Sequence, residues 1–279
     1  MGTVTAYVWL LLPYPVVLVA AVGYAIWASG RIAARERRLA AAVGVAQRAI
    51  LRPGTFQLAG AAISTRYRPA GAHDVIGGDL YAFADTGAGL RLLIGDVRGK
   101  GMAAAAQSAA AIDCFRDCAH GHRELTGVVA EMEQRMAGNL ASEDFVTAVL
   151  AEFAPGRLKL ANCGHPPPLH LPAGGPPALL TPDEPATPFG LDPTPCVQQV
   201  KLAPGDRVLF YTDGLTEARD RRGTMLDLQS VAPACALPDL DDALDTVLSA
   251  LGRHTARGRD SDDIALVLIE PEPVVAAAA

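Results

Sequence analysis

The sequence predicts an α+β domain, a largely antiparallel sheet structure covered by helices and preceded by one transmembrane helix. Strand-like runs follow one another as neighbours with helix pairs inserted between them, which is not the pattern of an alternating β–α–β chain. No charged side chain occurs from Met1 to Gly30. No long low-complexity linker and no internal repeat divides the remainder, so residues 55–270 read as one domain with a core of respectable size.

The uncharged stretch Val4–Ala28 is long enough to cross a hydrocarbon core as a helix. Tyr7 and Trp9 near one end and Trp27 near the other suit the two interfaces, and Pro13 and Pro15 are tolerated better in a membrane helix than in a soluble one. Arg31, Arg35, Arg37 and Arg38 follow at once, which orients the chain with its N-terminus outside and the rest in the cytoplasm. A cleaved signal peptide is the rival reading. It lacks a basic region before the apolar run, and the run is too long. Residues 1–30 are therefore expected to be a single-pass membrane anchor.

Residues 31–54 read as a linker helix rich in Arg and Ala that stops at Pro53-Gly54. Its apolar positions Leu39, Val43, Ala46 and Ile50 fall at intervals of three and four, suitable for one face. That face fits either a homodimer or a helix lying on its own domain. Further on, Phe56–Tyr67 is strand-like. Asp79–Ala84 and Leu90–Val97 form a hairpin around Thr86-Gly87-Ala88-Gly89. Helices are expected near 102–119, 122–140 and 239–256, and strands at 145–153, 157–162, 197–202, 206–212 and 263–269. The tail 271–279 is expected to be disordered.

Bulk composition narrows the function. The 279 residues carry a net charge of −6 and contain no stripe of Lys and Arg interleaved with aromatics, which argues against a nucleic-acid partner. The five cysteines, Cys114, Cys118, Cys163, Cys196 and Cys235, have no CxxC spacing and fit reduced thiols better than a disulfide framework.

Acidic residues recur at strand ends beside glycines. Gly77-Gly78-Asp79 opens one strand and Gly95-Asp96-Val97-Arg98-Gly99-Lys100-Gly101 closes the next. Tyr211-Thr212-Asp213-Gly214 ends a later strand, and Asp262-Asp263 begins the last. Each pair alone is more often a turn than a site. Delivered together, such carboxylates repel unless a cation neutralises them, and hard oxygen ligands suit Mg²⁺ or Mn²⁺. Spacing by itself supports only a candidate divalent-metal site.

With Phe145-Val146-Thr147-Ala148, Asn162-Cys163-Gly164-His165-Pro166-Pro167, Thr216-Glu217-Ala218 and Ile264 added, the strings stand in an order seen in one family. Residues 45–270 resemble the bacterial SpoIIE/RsbU branch of the metal-dependent PPM protein phosphatases, relatives of the type 2C enzymes. The resemblance implies an αββα sandwich of two antiparallel sheets flanked by helices, with two Mn²⁺ or Mg²⁺ ions at one edge. It implies serine/threonine phosphatase chemistry through a metal-bound hydroxide. By motif, Asp96 would bridge the ions, the Val97 carbonyl would add a ligand, and Asp79 would hold one ion. Asp213 and one of Asp262/Asp263, with Asp262 preferred, would hold the other.

Lys100 is a candidate for attracting the phosphate, against the reading of a solvated turn lysine. His165 is a candidate acid near the leaving oxygen, against the reading of a ring that orients its own loop. Cys163 becomes a packing residue. One departure concerns Ala265, where the family commonly has Thr; loss of that hydroxyl is expected to loosen the surroundings of Asp262. The implied substrate is a phosphorylated STAS-domain protein of the anti-anti-sigma type. A non-catalytic phosphoprotein-binding module of the same fold and a small-molecule phosphohydrolase are the other readings.

Overall fold

The computed structural model describes residues 13–69, 77–138, 140, 143–255 and 262–272. Helix α1 (Pro13–Leu51) runs unbroken through the boundary that separates anchor from linker in the sequence. Among the described residues no helix is long and apolar enough to cross a membrane. Residues 1–12 of the expected anchor lie outside the described residues, as do the side chains of Leu39, Val43 and Ala46.

The domain that follows contains β1 (Gly54–Leu58), β2 (Ala61–Arg68), β3 (Leu80–Thr86), β4 (Gly89–Val97), α2 (Met102–Cys118), α3 (Leu125–Met136), β5 (Val146–Ala154) and β6 (Arg157–Cys163). It continues with β7 (Leu169–Leu171), β8 (Ala178–Leu179), β9 (Val197–Lys201), β10 (Arg207–Tyr211), α4 (Asp213–Thr216), α5 (Ala232–Cys235), α6 (Leu240–Thr255) and β11 (Ile264–Pro271). The strands form two antiparallel sheets, ordered β1-β2-β11-β10-β7-β8 and β3-β4-β5-β6-β9.

The segment expected as one strand over Phe56–Tyr67 is a hairpin. Ala59 and Gly60 take positive φ (48° and 73°), the backbone a two-residue hairpin turn requires. The strand expected to end at residue 269 runs on to Pro271. The Glu272 N–H donates to the Gly60 carbonyl at 2.8 Å; residues 273–279 lie outside the described residues.

Strand alternation sorts the core into layers. On β11, Ala265, Val267 and Ile269 join Ile63, Val208 and Phe210 between the sheets. Ile264, Leu266 and Leu268 point the other way, against Leu240, Ala243, Leu244, Val247 and Leu251 of α6. The second sheet is covered by α2, whose buried Ala104, Ser108, Ala111, Phe115 and Cys118 recur at helical spacing. Small side chains on that stripe let the helix lie close to the sheet.

A buried ion pair ties α2 to β4 and β5. Arg91 and Glu152 side chains are 2% and 4% exposed, with Nη2 2.6 Å from Oε2. The guanidinium also donates to the carbonyls of Ala119, His122 and Arg123, so it staples the end of α2 to the sheet. Removing one partner of such a pair strands a buried charge. Glu152→Ala is expected to cost about 3–5 kcal/mol in urea denaturation, and Glu152→Gln less, because an amide oxygen still accepts.

Candidate active site

The site grows from strand ends that the two sheets bring to one edge. Asp79 precedes β3, Asp96 is the penultimate residue of β4, and Asp263 precedes β11. Gly77 and Gly78 allow that convergence. A Cβ on Gly77 would stand 1.6 Å from Asp263 Oδ2, and one on Gly78 would stand 2.4 Å from the Val97 carbonyl oxygen and 2.5 Å from Asp96 Oδ1. Any side chain there would push the acids apart.

Asp79 is held on every side. It is 1% exposed. Its Oδ2 accepts from Thr212 Oγ1 at 2.8 Å, and its N–H donates to Asp263 Oδ2 at 3.1 Å. Its carbonyl accepts from Ser108 Oγ on α2 at 3.2 Å and from Gln47 Nε2 on α1 at 3.4 Å; the same amide donates to Gly77 O at 3.0 Å.

Asp79, Asp96 and Asp263 each offer a carboxylate oxygen within 4.8 Å of the others. Burial, then repulsion from Asp263 and Asp96, pushes Asp79 well above the ordinary carboxylate range. Burial, then repulsion from Asp213, Asp263 and Asp262, pushes Asp96 up to about 8. Burial also raises Asp263. An all-oxygen set under this strain fits a hard divalent cation, whose charge would remove the penalty. Val97 sits beside the cluster, its N–H donating to Gly78 O at 3.2 Å.

Asp213 opens α4, with its pKa raised by burial and then by Glu217 and Asp262. Asp262 faces outward. Its Oδ1 lies 2.7 Å from Lys100 Nζ and accepts the Asp263 N–H at 3.1 Å. Burial pushes Asp262 up, but the Lys100 ammonium and hydrogen bonds from the Asp263 side chain and amide outweigh it and leave the pKa below the usual range.

The family described as stage II sporulation protein E (SpoIIE) matches residues 86–272. The chain belongs to the SpoIIE family. Its fold is that of the PPM serine/threonine phosphatases. The structure of the RsbU and RsbW domains of a Mycobacterium tuberculosis protein is 26% identical over 77% of this chain, with a TM-score of 0.63; the chain spans 61% of that structure's length. The SiaA-PP2C domain of Pseudomonas aeruginosa is 19% identical, covers 87% of this chain and 98% of its own, and has a TM-score of 0.67. The catalytic domain of the phosphatase PstP in complex with 2 manganese ions is 17% identical over 76% of this chain and 98% of its own, with a TM-score of 0.57.

In this SpoIIE-family chain, the trio of acids with oxygens within 4.8 Å of one another takes in Asp263, while Asp262, the motif's preference for the ion held with Asp213, is not among the three. The reason is local. Asp263 is 4% exposed and turned toward the Asp79 N–H, whereas Asp262 is turned out to Lys100. His165 does not join the carboxylates. Its ring is 6% exposed, with Nδ1 3.0 Å from Thr147 Oγ1 and Nε2 3.2 Å from the Tyr211 carbonyl. The carbonyl can only accept, so Nε2 carries the proton and Nδ1 takes the Thr147 hydroxyl hydrogen. Burial lowers the ring's pKa to about 4. It is a neutral brace between β5 and the end of β10, with both nitrogens committed.

Thr212, Ser108 and Gln47 carry site geometry that sequence reasoning missed. Thr212 lies inside the Tyr211–Gly214 string, so a signal was present. Ser108 and Gln47 lie in helices with no local cue. Thr212 Oγ1 also accepts the Ala265 N–H at 2.9 Å, while the Ala265 side chain faces the core between the sheets. The hydroxyl that reaches an acid of the site therefore comes from Thr212. Thr212→Val is expected to weaken Mn²⁺ binding by about 10- to 100-fold in a calorimetric titration, the usual scale for loss of a group that orients a metal ligand.

The folded chain keeps Asp96 protonated up to about pH 8, whereas its ordinary pKa is 3.8, so folding takes up a proton between those values. Metal-free stability therefore falls as pH rises through that window. His165 acts in the opposite sense, but only below its ordinary 6.5, so pH 7 to 8 reads the buried carboxylates, Asp96 together with Asp79, without it. In EDTA, Tm is expected to drop by about 2–4 °C from pH 7 to pH 8, and Asp96→Asn to flatten that slope.

Proposed function

We propose that this chain is a phosphoprotein phosphatase that uses two Mn²⁺ or Mg²⁺ ions, acting on phosphoserine or phosphothreonine of a STAS-domain protein. The observation that carries the reading is the convergence of Asp79, Asp96 and Asp263 from both sheets to within 4.8 Å, with Asp96 and Asp263 inside the residues that match the family. Asp79, Asp96 and Asp263 would hold one ion. Asp96 would be shared with a second, held with Asp213 and Asp262. When bound, such ions supply Lewis-acid polarisation of a phosphoryl group and activation of water at neutral pH.

The remaining work falls to the chain's own groups. Thr212, Ser108 and Gln47 orient the Asp79 segment. Helix α2 begins two residues after Lys100 with no side-chain cap and no acid in its first turn, leaving its positive end for a phosphate. Cys163 is fully buried with its thiol pushed up to about 12 by burial, consistent with packing and not with nucleophilic attack.

A membrane location belongs to the same proposal. Leu18, Val19, Val22, Tyr24, Ile26 and Trp27 stand exposed on α1, and the Arg31 guanidinium lies 4.9 Å from the Trp27 ring centre, an arrangement suited to a membrane interface. Pairing of two copies through α1 is supported by an apolar groove of about 260 Å³ between α1 and α2, lined by Ile50, Met102, Ala105, Ala109 and Ile112.

The test is hydrolysis of p-nitrophenyl phosphate and a phosphoserine peptide by the full chain. Activity is expected to need Mn²⁺, to disappear in EDTA, and to fall at least about 100-fold in Asp96→Ala and in Asp213→Ala. A folded chain equally active in EDTA would sink the proposal.

A further inference from the structure

The acidic cluster is divided by its counter-charges. Among the described residues, Asp79, Asp96 and Asp263 face one another with hydrogen-bond donors and without an ion pair of their own. Asp262, beside them, is paired with an ammonium, Lys100 Nζ at 2.7 Å. That ammonium is not built into the fold. The Lys100 side chain is 53% exposed. Its neighbours Gly99 and Gly101 take φ of 103° and 88°, which glycine adopts freely, and a Cβ on either would meet nothing within 4 Å. Lys100 is thus a cation on a short tether with open space on both sides, able to leave Asp262 without repacking any core.

We propose that Lys100 is an internal counter-ion that holds Asp262 until a divalent ion claims that carboxylate, so that the two halves of the cluster load cations with unequal affinity. The inference rests on reading the cluster as a metal centre, and it adds an order to the loading. The half built from Asp79, Asp96 and Asp263 binds first. The half that includes Asp213 and Asp262 binds second, because the incoming ion must displace the ammonium. Displacement leaves Nζ unpaired at the lip of the site, where a phosphoryl oxygen is its natural new partner. One side chain thereby links occupancy of the second cation position to capture of the anionic substrate.

The experiment is calorimetric titration of Mn²⁺ into the metal-free full chain in detergent micelles, with thermal melts in EDTA and in excess Mn²⁺. Lys100→Gln removes the charge and keeps a polar side chain. It is expected to leave the tighter binding step unchanged and to strengthen the weaker step by about 3- to 10-fold, a modest factor because the pair is half exposed. The same variant is expected to lower Tm in EDTA, where Asp262 loses its counter-ion, and to widen the Tm increase produced by Mn²⁺. Lys100→Arg should keep the wild-type pattern. A lysine serving only to support the loop would lower Tm in both media without strengthening either step, and that result would overturn the inference, as would a weaker step left unchanged or weakened. Absence of any Mn²⁺ binding by the folded wild-type chain would overturn the metal-centre reading and this inference with it.

Discussion

Carboxylates that repel one another must be held within a few ångströms, and much of the structure around the site serves that constraint. At van der Waals range in a partly buried setting, like charges cost several kcal/mol (about 4 at 4 Å for an effective dielectric of 20). The chain meets the cost with backbone. Gly77 and Gly78 remove the side chains that would separate the strands. The Asp79 N–H is given to Asp263, and the Thr212 hydroxyl to Asp79. Burial first, and then the remaining repulsion, raises the pKa values of Asp79, Asp96 and Asp213, which is the electrostatic signature of a place prepared for a cation.

Holding the acids this way makes distant parts of the chain share one small segment. Residues 77–79 receive hydrogen bonds from α1 through Gln47, from α2 through Ser108 and from the end of β10 through Thr212. Three elements that are far apart in sequence therefore fix one ligand. His165 performs a similar service on the other side, bracing Thr147, the partner of Asp96 across β4 and β5, against the Tyr211 carbonyl just before Asp213. Its burial and neutrality suit a brace, since a protonated ring beside the acids would compete with the cation for the same field.

Rigidity beneath the site comes from the double-sided use of β11 and β10. Each strand alternates between the core of the sandwich and the layer under α6, so neither can shift register without moving its whole apolar set into the wrong layer. The acids at the ends of these strands inherit that register. The lip, with an exposed Lys100 between two glycines, is open by comparison.

Sequence by itself determined the chemistry of the ligands and the antiparallel character of the domain. Period-two runs bounded by glycine mark β3 and β4 as a hairpin within a residue or two, and the Asp–Gly strings single out acids that the fold brings to one edge, because strand periodicity and turn chemistry are local properties. Tertiary structure alone decided the rest. It split Phe56–Tyr67 into β1 and β2, added the short strands β7 and β8, and distributed the strands between two sheets, all of which depend on partners remote in sequence. It also turned Asp263 inward and Asp262 out to Lys100, although the two are neighbours of the same residue type. Gln47 and Ser108 could not be read at all, because a side chain that bonds to a backbone carbonyl more than 25 residues away leaves no periodic trace in its own helix.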